Sequence, residues 1–86
     1  MPELCRFYGI VIRIYFDDHL PPHFHALYGG HEVLVSIETL ALIEGELPPR
    51  ALGLVTEWAA QHQEELKAAW MKAQNLELPG KIVPLT

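Results

Sequence analysis

Cysteine, basic residues and long apolar runs are all scarce in this chain of 86 residues. The single cysteine, Cys5, excludes an intramolecular disulfide and every zinc motif that needs a cysteine pair. Six Lys and Arg residues face eleven Asp and Glu residues, which gives a formal net charge of −5. Clustered basic residues supply most of the affinity of proteins for nucleic acids, and the basic residues of this chain are scattered. The composition therefore argues against nucleic-acid binding by the monomer.

Membrane signals are also missing. No uninterrupted apolar stretch is long enough to span a bilayer. The opening residues Met1 to Leu4 include no charged segment that leads into an apolar one, as a secretory signal would. Half of the residues are hydrophobic and 20% are charged, which is typical of a globular protein. We therefore expect one cytoplasmic domain over residues 1–86, with no membrane association.

Alternating hydrophobicity predicts the sheet. Residues 7–16 have an apolar side chain at every second position from Ile10 to Phe16, and β-branched and aromatic residues dominate, which favours a strand. Gly29-Gly30 suits a type I′ hairpin, in which both central residues have positive φ. Further strands are predicted over residues 23–28, 31–37 and 40–44.

A long amphipathic helix is predicted over about residues 48–74. Pro49 suits its first turn, where a missing N–H is no loss. Apolar side chains then recur every three or four residues. Such a helix would be ~39 Å long, whereas a five-residue strand spans ~17 Å. Trp70, near the far end, therefore needs cover from the tail, a second subunit or a partner, and is a predicted interface residue.

Together these elements predict an α+β fold. A three- to four-stranded, mostly antiparallel sheet over about residues 7–44 is covered on one face by a single long amphipathic helix, and residues 75–86 form a C-terminal tail. Strand parity places Phe24 on the covered face and His23 and His25 on the opposite one. We expect that outer face to be exposed and to form a functional face. Its predicted residues are Arg13, Tyr15, Asp17, Asp18, His19, His23, His25 and Glu32.

Three interpretations of this face remain open. It is the solvated side of a half-covered sheet, a metal site, or a site of metal-free acid–base chemistry. A His-x-His pair on a strand suits a divalent transition metal, and His19, His23 and His25 are the predicted ligands, joined by Asp17 or Asp18. Burial of both strand histidines beneath the helix would instead make them part of the scaffold.

Two further aromatic positions have structural interpretations. Trp58 is interpreted as an aromatic residue of the hydrophobic core. His62 lies on the apolar stripe between Trp58 and Leu66, and a lone histidine there is typically buried, neutral and hydrogen-bonded.

Several short segments carry a family resemblance. Pro21-Pro22-His23-Phe24-His25-Ala26 is the most specific. The others are Arg6-Phe7-Tyr8-Gly9-Ile10, Tyr28-Gly29-Gly30, Glu44-Gly45-Glu46-Leu47-Pro48, Trp58-Ala59 and His62-x-Glu64-Glu65-Leu66. Together they resemble the small bacterial domain of unknown function 4160 family, from about Leu4 to Leu85.

The resemblance implies free-standing cytosolic proteins that are often encoded beside another small domain, similar to toxin–antitoxin pairs. No established activity comes with it, so no catalytic or ligand residue carries over, and whether the chain is an enzyme stays open. We expect a protein-interaction module of a two-gene, toxin–antitoxin-like system that binds a small protein partner or forms a homo-oligomer. The alternative is a metal-binding protein or metal-dependent enzyme that uses His19, His23 and His25.

Overall fold

In the part of the chain that the structure describes, five antiparallel strands form one sheet, and two helices follow them. A computed structural model describes residues 2–86. The strands are β1 (Glu3–Phe7), β2 (Ile10–Arg13), β3 (His23–Tyr28), β4 (His31–Ser36) and β5 (Leu42–Gly45). They lie in the order β1-β2-β3-β4-β5, so every neighbouring pair is consecutive along the chain. The helices are α1 (Pro49–Gln61) and α2 (Gln63–Gln74).

The predicted first strand is two strands. Tyr8 and Gly9 both have positive φ, 49° and 82°, which is the backbone pattern of a type I′ turn. The turn reverses the chain after Phe7 and pairs β1 with β2. The prediction of three or four strands was wrong because tyrosine is not a typical turn residue. Tyr8 therefore gave no turn signal, and one strand was predicted where the structure has two.

The hairpin between β3 and β4 is present, with Tyr28 paired to His31. Its turn is not the predicted type I′. Gly29 has a φ of 58°, whereas Gly30 is not among the positive-φ residues. A positive φ at the first central position alone is the pattern of a type II′ turn.

The prediction of a single long helix was also wrong. His62, with φ −131° and ψ 24°, separates α1 from α2. The longest dimension of the described chain is 33 Å, which is shorter than the ~39 Å of a straight helix over residues 49–74. The break lets α2 turn back onto the sheet, where the Gln63 amide donates to the Ile37 carbonyl at 2.9 Å. Both halves thus bury their apolar stripes.

The core lies between α1 and the face of the sheet that carries Phe24. The Trp58 ring packs against the rings of Phe7 and Phe24, with centroids 5.7 and 5.9 Å apart. Phe24, which strand parity placed on this face, is buried as predicted. The same is true of five further strand residues that are buried in the core, namely Ile12, Ile14, Val33, Val35 and Ile37. Within residues 2–86, neither helix has the length and apolar character needed to cross a bilayer.

The C-terminal tail covers the β1 edge of the sheet. The Ile82 N–H donates to the Leu4 carbonyl at 3.0 Å, and the Trp58 indole N–H donates to the Val83 carbonyl at 2.8 Å. Residues 75–86 are not a strand. β5, at the other edge, has no further strand beside it in the part of the chain that is described.

Candidate metal centre

Two histidines and one aspartate converge at the start of β3. One ligand atom from each of Asp18, His23 and His25 lies within 4.8 Å of the other two. His23 and His25 are adjacent outer-face positions of one strand, because side chains alternate along it. Asp18 comes from the loop between β2 and β3. The strand fixes the spacing of the two rings, and the loop brings the carboxylate over them.

This cluster is buried, which differs from the expectation of a solvent-exposed face. His23 and His25 are 6% and 8% exposed. The Trp70 ring of α2 packs on His23, with centroids 5.3 Å apart. The Tyr15 ring meets His25 edge to face at 4.3 Å. The turn at His62 brings α2 into this position, so the burial depends on the helix break.

Each histidine has one ring nitrogen committed to an oxygen acceptor. His23 Nδ1 lies 2.8 Å from the Pro21 carbonyl oxygen, and His25 Nδ1 lies 2.9 Å from the Glu32 carboxylate. Both oxygens can only accept, so a neutral ring that bonds to them carries its proton on Nδ1. In the neutral form, each Nε2 is then left with a free lone pair.

Both free nitrogens face the Asp18 carboxylate. His25 Nε2 lies 3.2 Å from each Asp18 oxygen, and His23 Nε2 lies 3.5 Å from Oδ1. Two ligands bound ~2 Å from one ion at a tetrahedral angle are ~3.3 Å apart. The three groups therefore have the chemistry of metal ligands, and both histidine–Asp18 separations match the spacing of metal ligands.

The Asp18 loop is held in place from two sides. Asp18 Oδ2 accepts a hydrogen bond from the Tyr15 N–H at 3.1 Å. The Gln74 amide, in the last turn of α2, donates to the Asp18 carbonyl at 3.1 Å. Neither Gln74 nor the Pro21 carbonyl was predicted at this site. No local pattern in the sequence indicates them, because both contacts depend on the folded path of the loop and of α2.

The predicted residues divide into two groups. Tyr15, Asp18, His23, His25 and Glu32 come together, and Arg13 lies directly across from His25 in the sheet. Asp17 and His19 are exposed and lie outside the three-residue group. Of the predicted ligands, Asp18, His23 and His25 come together, whereas His19 and Asp17 do not.

Two other residues that the sequence analysis singled out, Trp70 and His62, make contacts typical of structural residues. Trp70, predicted as an interface residue, is 4% exposed and packs within its own chain. His62 is half-buried at the junction of the helices, where Nδ1 pairs with Glu65 and the ring packs on Trp58. Its predicted role as a hydrogen-bonded structural histidine fits these contacts.

A separate groove of about 520 Å³ lies beside α1. Its lining includes Tyr8, Tyr28, Arg50, Leu54 and Glu57, and no residue of the histidine cluster.

Comparison with known proteins confirms the family resemblance. The family model described as Domain of unknown function (DUF4160) matches residues 9–71, which include every residue of the cluster. The chain belongs to this family. For this DUF4160 chain, searches of the curated proteins and of the solved structures gave no match.

Proposed function

We propose that this DUF4160 protein binds a divalent transition-metal ion through Asp18 and the Nε2 atoms of His23 and His25. The observation that supports the proposal is the convergence of the Nε2 atoms of two imidazole rings on one carboxylate. Lone pairs and an anion repel one another unless a cation lies between them. Two histidines and one carboxylate form a ligand set that suits zinc and non-haem iron.

A purely structural role for neutral histidines accounts for less of this geometry. Scaffold histidines buried beneath a helix would satisfy each ring nitrogen with a complementary partner. Here the Nδ1 atoms have such partners, whereas the Nε2 atoms of both rings share Asp18. Neutral rings leave three acceptors facing one another, and a bound cation removes that conflict.

Surrounding groups support the same proposal. Glu32 accepts the Nδ1 proton of His25, as carboxylates commonly do for histidines that bind metals. Such a contact orients the ring and makes Nε2 a stronger ligand. Three protein ligands also leave a tetrahedral ion one position for water or a ligand.

Metal stoichiometry tests the proposal. The chain is purified without a histidine tag, incubated with Zn²⁺, Co²⁺, Mn²⁺ or Fe²⁺, dialysed and analysed for metal content. We expect about one equivalent of one of these ions. Asp18→Asn and His25→Ala should each lower the affinity by more than the ~10- to 100-fold typical of a lost outer partner.

His19→Ala is the matched control, because it removes an exposed imidazole from the same loop. The control should retain native metal affinity. Less than about a tenth of an equivalent of every ion after reconstitution would be strong evidence against the proposal. An equal loss of affinity in His19→Ala and His25→Ala would count against this ligand set.

A second candidate function is the protein-interaction module that the family resemblance implies, with the adjacently encoded small protein as partner. The observation that favours it is the β5 edge, where Leu42 and Ile43 are 45% and 42% exposed. An open strand edge with apolar side chains can pair with a strand of another protein.

Co-expression with the adjacently encoded protein tests this candidate. We expect co-purification with the native chain and its loss in Ile43→Glu. Leu76→Glu is the control, because Leu76 is 77% exposed and lies in the tail. Self-association in place of a heterodimer would favour the homo-oligomer, and no association of either kind would contradict the interaction module.

A further inference from the structure

Arg13 lies beside the proposed metal ligands, and among residues 2–86 its Nε atom has no hydrogen-bond partner. On β2 it stands directly opposite His25 of β3. Directly opposite residues of antiparallel strands have Cβ atoms ~4.5–5.5 Å apart and point to the same face. The guanidinium of Arg13 therefore projects from the face that carries His23 and His25.

One donor of Arg13 is buried and unsatisfied within the described residues. Its Nε is buried and has no hydrogen-bond partner among residues 2–86. Within the same residues, no carboxylate lies within 4.0 Å of its guanidinium. Glu3, which faces Arg13 from β1, is bound instead by Arg6 at 2.7 and 3.0 Å. A buried charged donor without an acceptor is costly, so an acceptor from outside the chain fits this position.

Charge balance indicates the kind of acceptor. A divalent ion at the cluster is neutralised by the carboxylates of Asp18 and Glu32, and Arg13 then leaves one net positive charge. The chain as a whole has a formal net charge of −5, so a small anion has little general attraction to it. A local site for an anion therefore depends on Arg13 and the ion.

We infer that Arg13 and the metal ion together bind an oxyanion, a carboxylate or a phosphate, which would occupy the coordination position left open by Asp18, His23 and His25. This inference rests on the proposed metal site. A guanidinium donates several N–H groups in one plane and matches the oxygens of carboxylates and phosphates. The metal ion would take one oxygen, and the Arg13 Nε–H would gain the acceptor that it lacks.

Visible absorption of the Co²⁺-loaded protein tests this inference, because the spectrum responds to a change in the ligands of the ion. Acetate and inorganic phosphate are titrated separately into the native chain, Arg13→Met and Arg50→Met. Arg50 is an exposed residue of α1 and serves as the matched control. We expect a saturable spectral change with at least one anion, and an affinity ~10- to 100-fold lower in Arg13→Met only.

Arg13→Lys provides a second variant if the methionine variant fails to fold. It retains the charge and loses the planar group, so we expect its anion affinity to be lower than that of the native chain and of Arg50→Met. A response to acetate identifies a carboxylate site, and a response to phosphate alone identifies a phosphate site. Either result supports the inference when it depends on Arg13.

Other outcomes would overturn it. If Co²⁺ binds at one equivalent and neither anion changes the spectrum, the oxyanion site is wrong and the metal site stands. Equal anion affinities in Arg13→Met and Arg50→Met would also show that the oxyanion site is wrong. If the native chain binds no ion, both the metal site and the oxyanion site are wrong.

Discussion

His25 Nε2 lies 3.2 Å from each carboxylate oxygen of Asp18. The other nitrogen of the same ring already faces Glu32. His25 therefore links two carboxylates, one from the loop after β2 and one from β4. A cation between His25 and Asp18 makes this arrangement favourable, and either a metal ion or a proton on the ring supplies one. The two compete, so metal affinity should fall as the pH is lowered.

Glu32→Gln should weaken metal binding without removing a ligand. The substitution replaces the charged acceptor of the His25 Nδ1–H with a neutral one, so Nε2 becomes a weaker ligand. We expect a ~10- to 100-fold loss of affinity in equilibrium dialysis. Glu44→Gln, an exposed carboxylate on neighbouring β5, is the control and should bind as the native chain does. Equal affinity in the two variants would contradict the role of Glu32.

Gln74→Ala should loosen the loop that carries Asp18. The lost hydrogen bond, at 3.1 Å from the Gln74 amide to the Asp18 carbonyl, is worth ~0.5–1.5 kcal/mol. We expect faster amide hydrogen exchange in residues 15–20 and weaker metal binding, with little change in the exchange of α1. Gln61→Ala alters an exposed glutamine at the end of α1 and is the control. Unchanged exchange in the loop would show that Gln74 does not hold it.

The covered face of the sheet could be predicted from the sequence because it depends on local periodicity. Ile12, Phe24 and Val33 each belong to the apolar alternation of their own strand, and all three are buried. A strand with one apolar face fixes which side meets the core, whatever the rest of the chain does. The same alternation placed His23 and His25 together on the opposite side.

The helix break and the burial of the histidines could not be predicted in this way. The apolar stripe continues with helical spacing through His62, so its period does not reveal the break. The break depends on the size of the sheet and of the core, and both of these are properties of the tertiary structure. The break positions Trp70 over His23. The wrong prediction of one continuous helix therefore led to the wrong prediction that the two histidines are exposed. The selection of Asp18, rather than Asp17 or His19, depends on the path of the loop, which periodicity does not describe.

The stability of the chain should fall at alkaline pH because of Cys5. Burial raises the pKa of this thiol to about 12, above its ordinary value of about 8.5. The folded chain thus holds the proton more tightly than the unfolded chain does. The resulting stabilisation is complete below the ordinary pKa and is lost as the pH rises through the folded pKa.

Urea unfolding from about pH 8 to about pH 11 measures this effect, since stability follows the difference in bound protons. We expect the free energy of unfolding to decrease more steeply in the native chain than in Cys5→Ala. The comparison uses the slopes, because the alanine substitution also changes packing. Parallel slopes would show that the thiol does not contribute.

Gly45→Ala and Gly53→Ala should change stability in opposite directions. Gly45, at the end of β5, has a φ of +81°, and an added methyl group would collide with the Glu32 carbonyl oxygen. Gly53 is exposed in α1, where nothing lies within 4 Å of the added methyl. We expect chemical denaturation to show a loss of more than ~1 kcal/mol for Gly45→Ala and a gain of ~0.5–1 kcal/mol for Gly53→Ala.

The Gly45 variant also connects the β5 edge to the metal centre. Glu32 lies on β4 beside Gly45 and holds His25 through its carboxylate. Displacement of the Glu32 backbone should therefore lower metal affinity in Gly45→Ala, whereas Gly53→Ala should bind metal as the native chain does. A stability loss without any loss of metal affinity would mean that β5 moves alone and that the Glu32–His25 contact survives. That result would separate the sheet edge from the site.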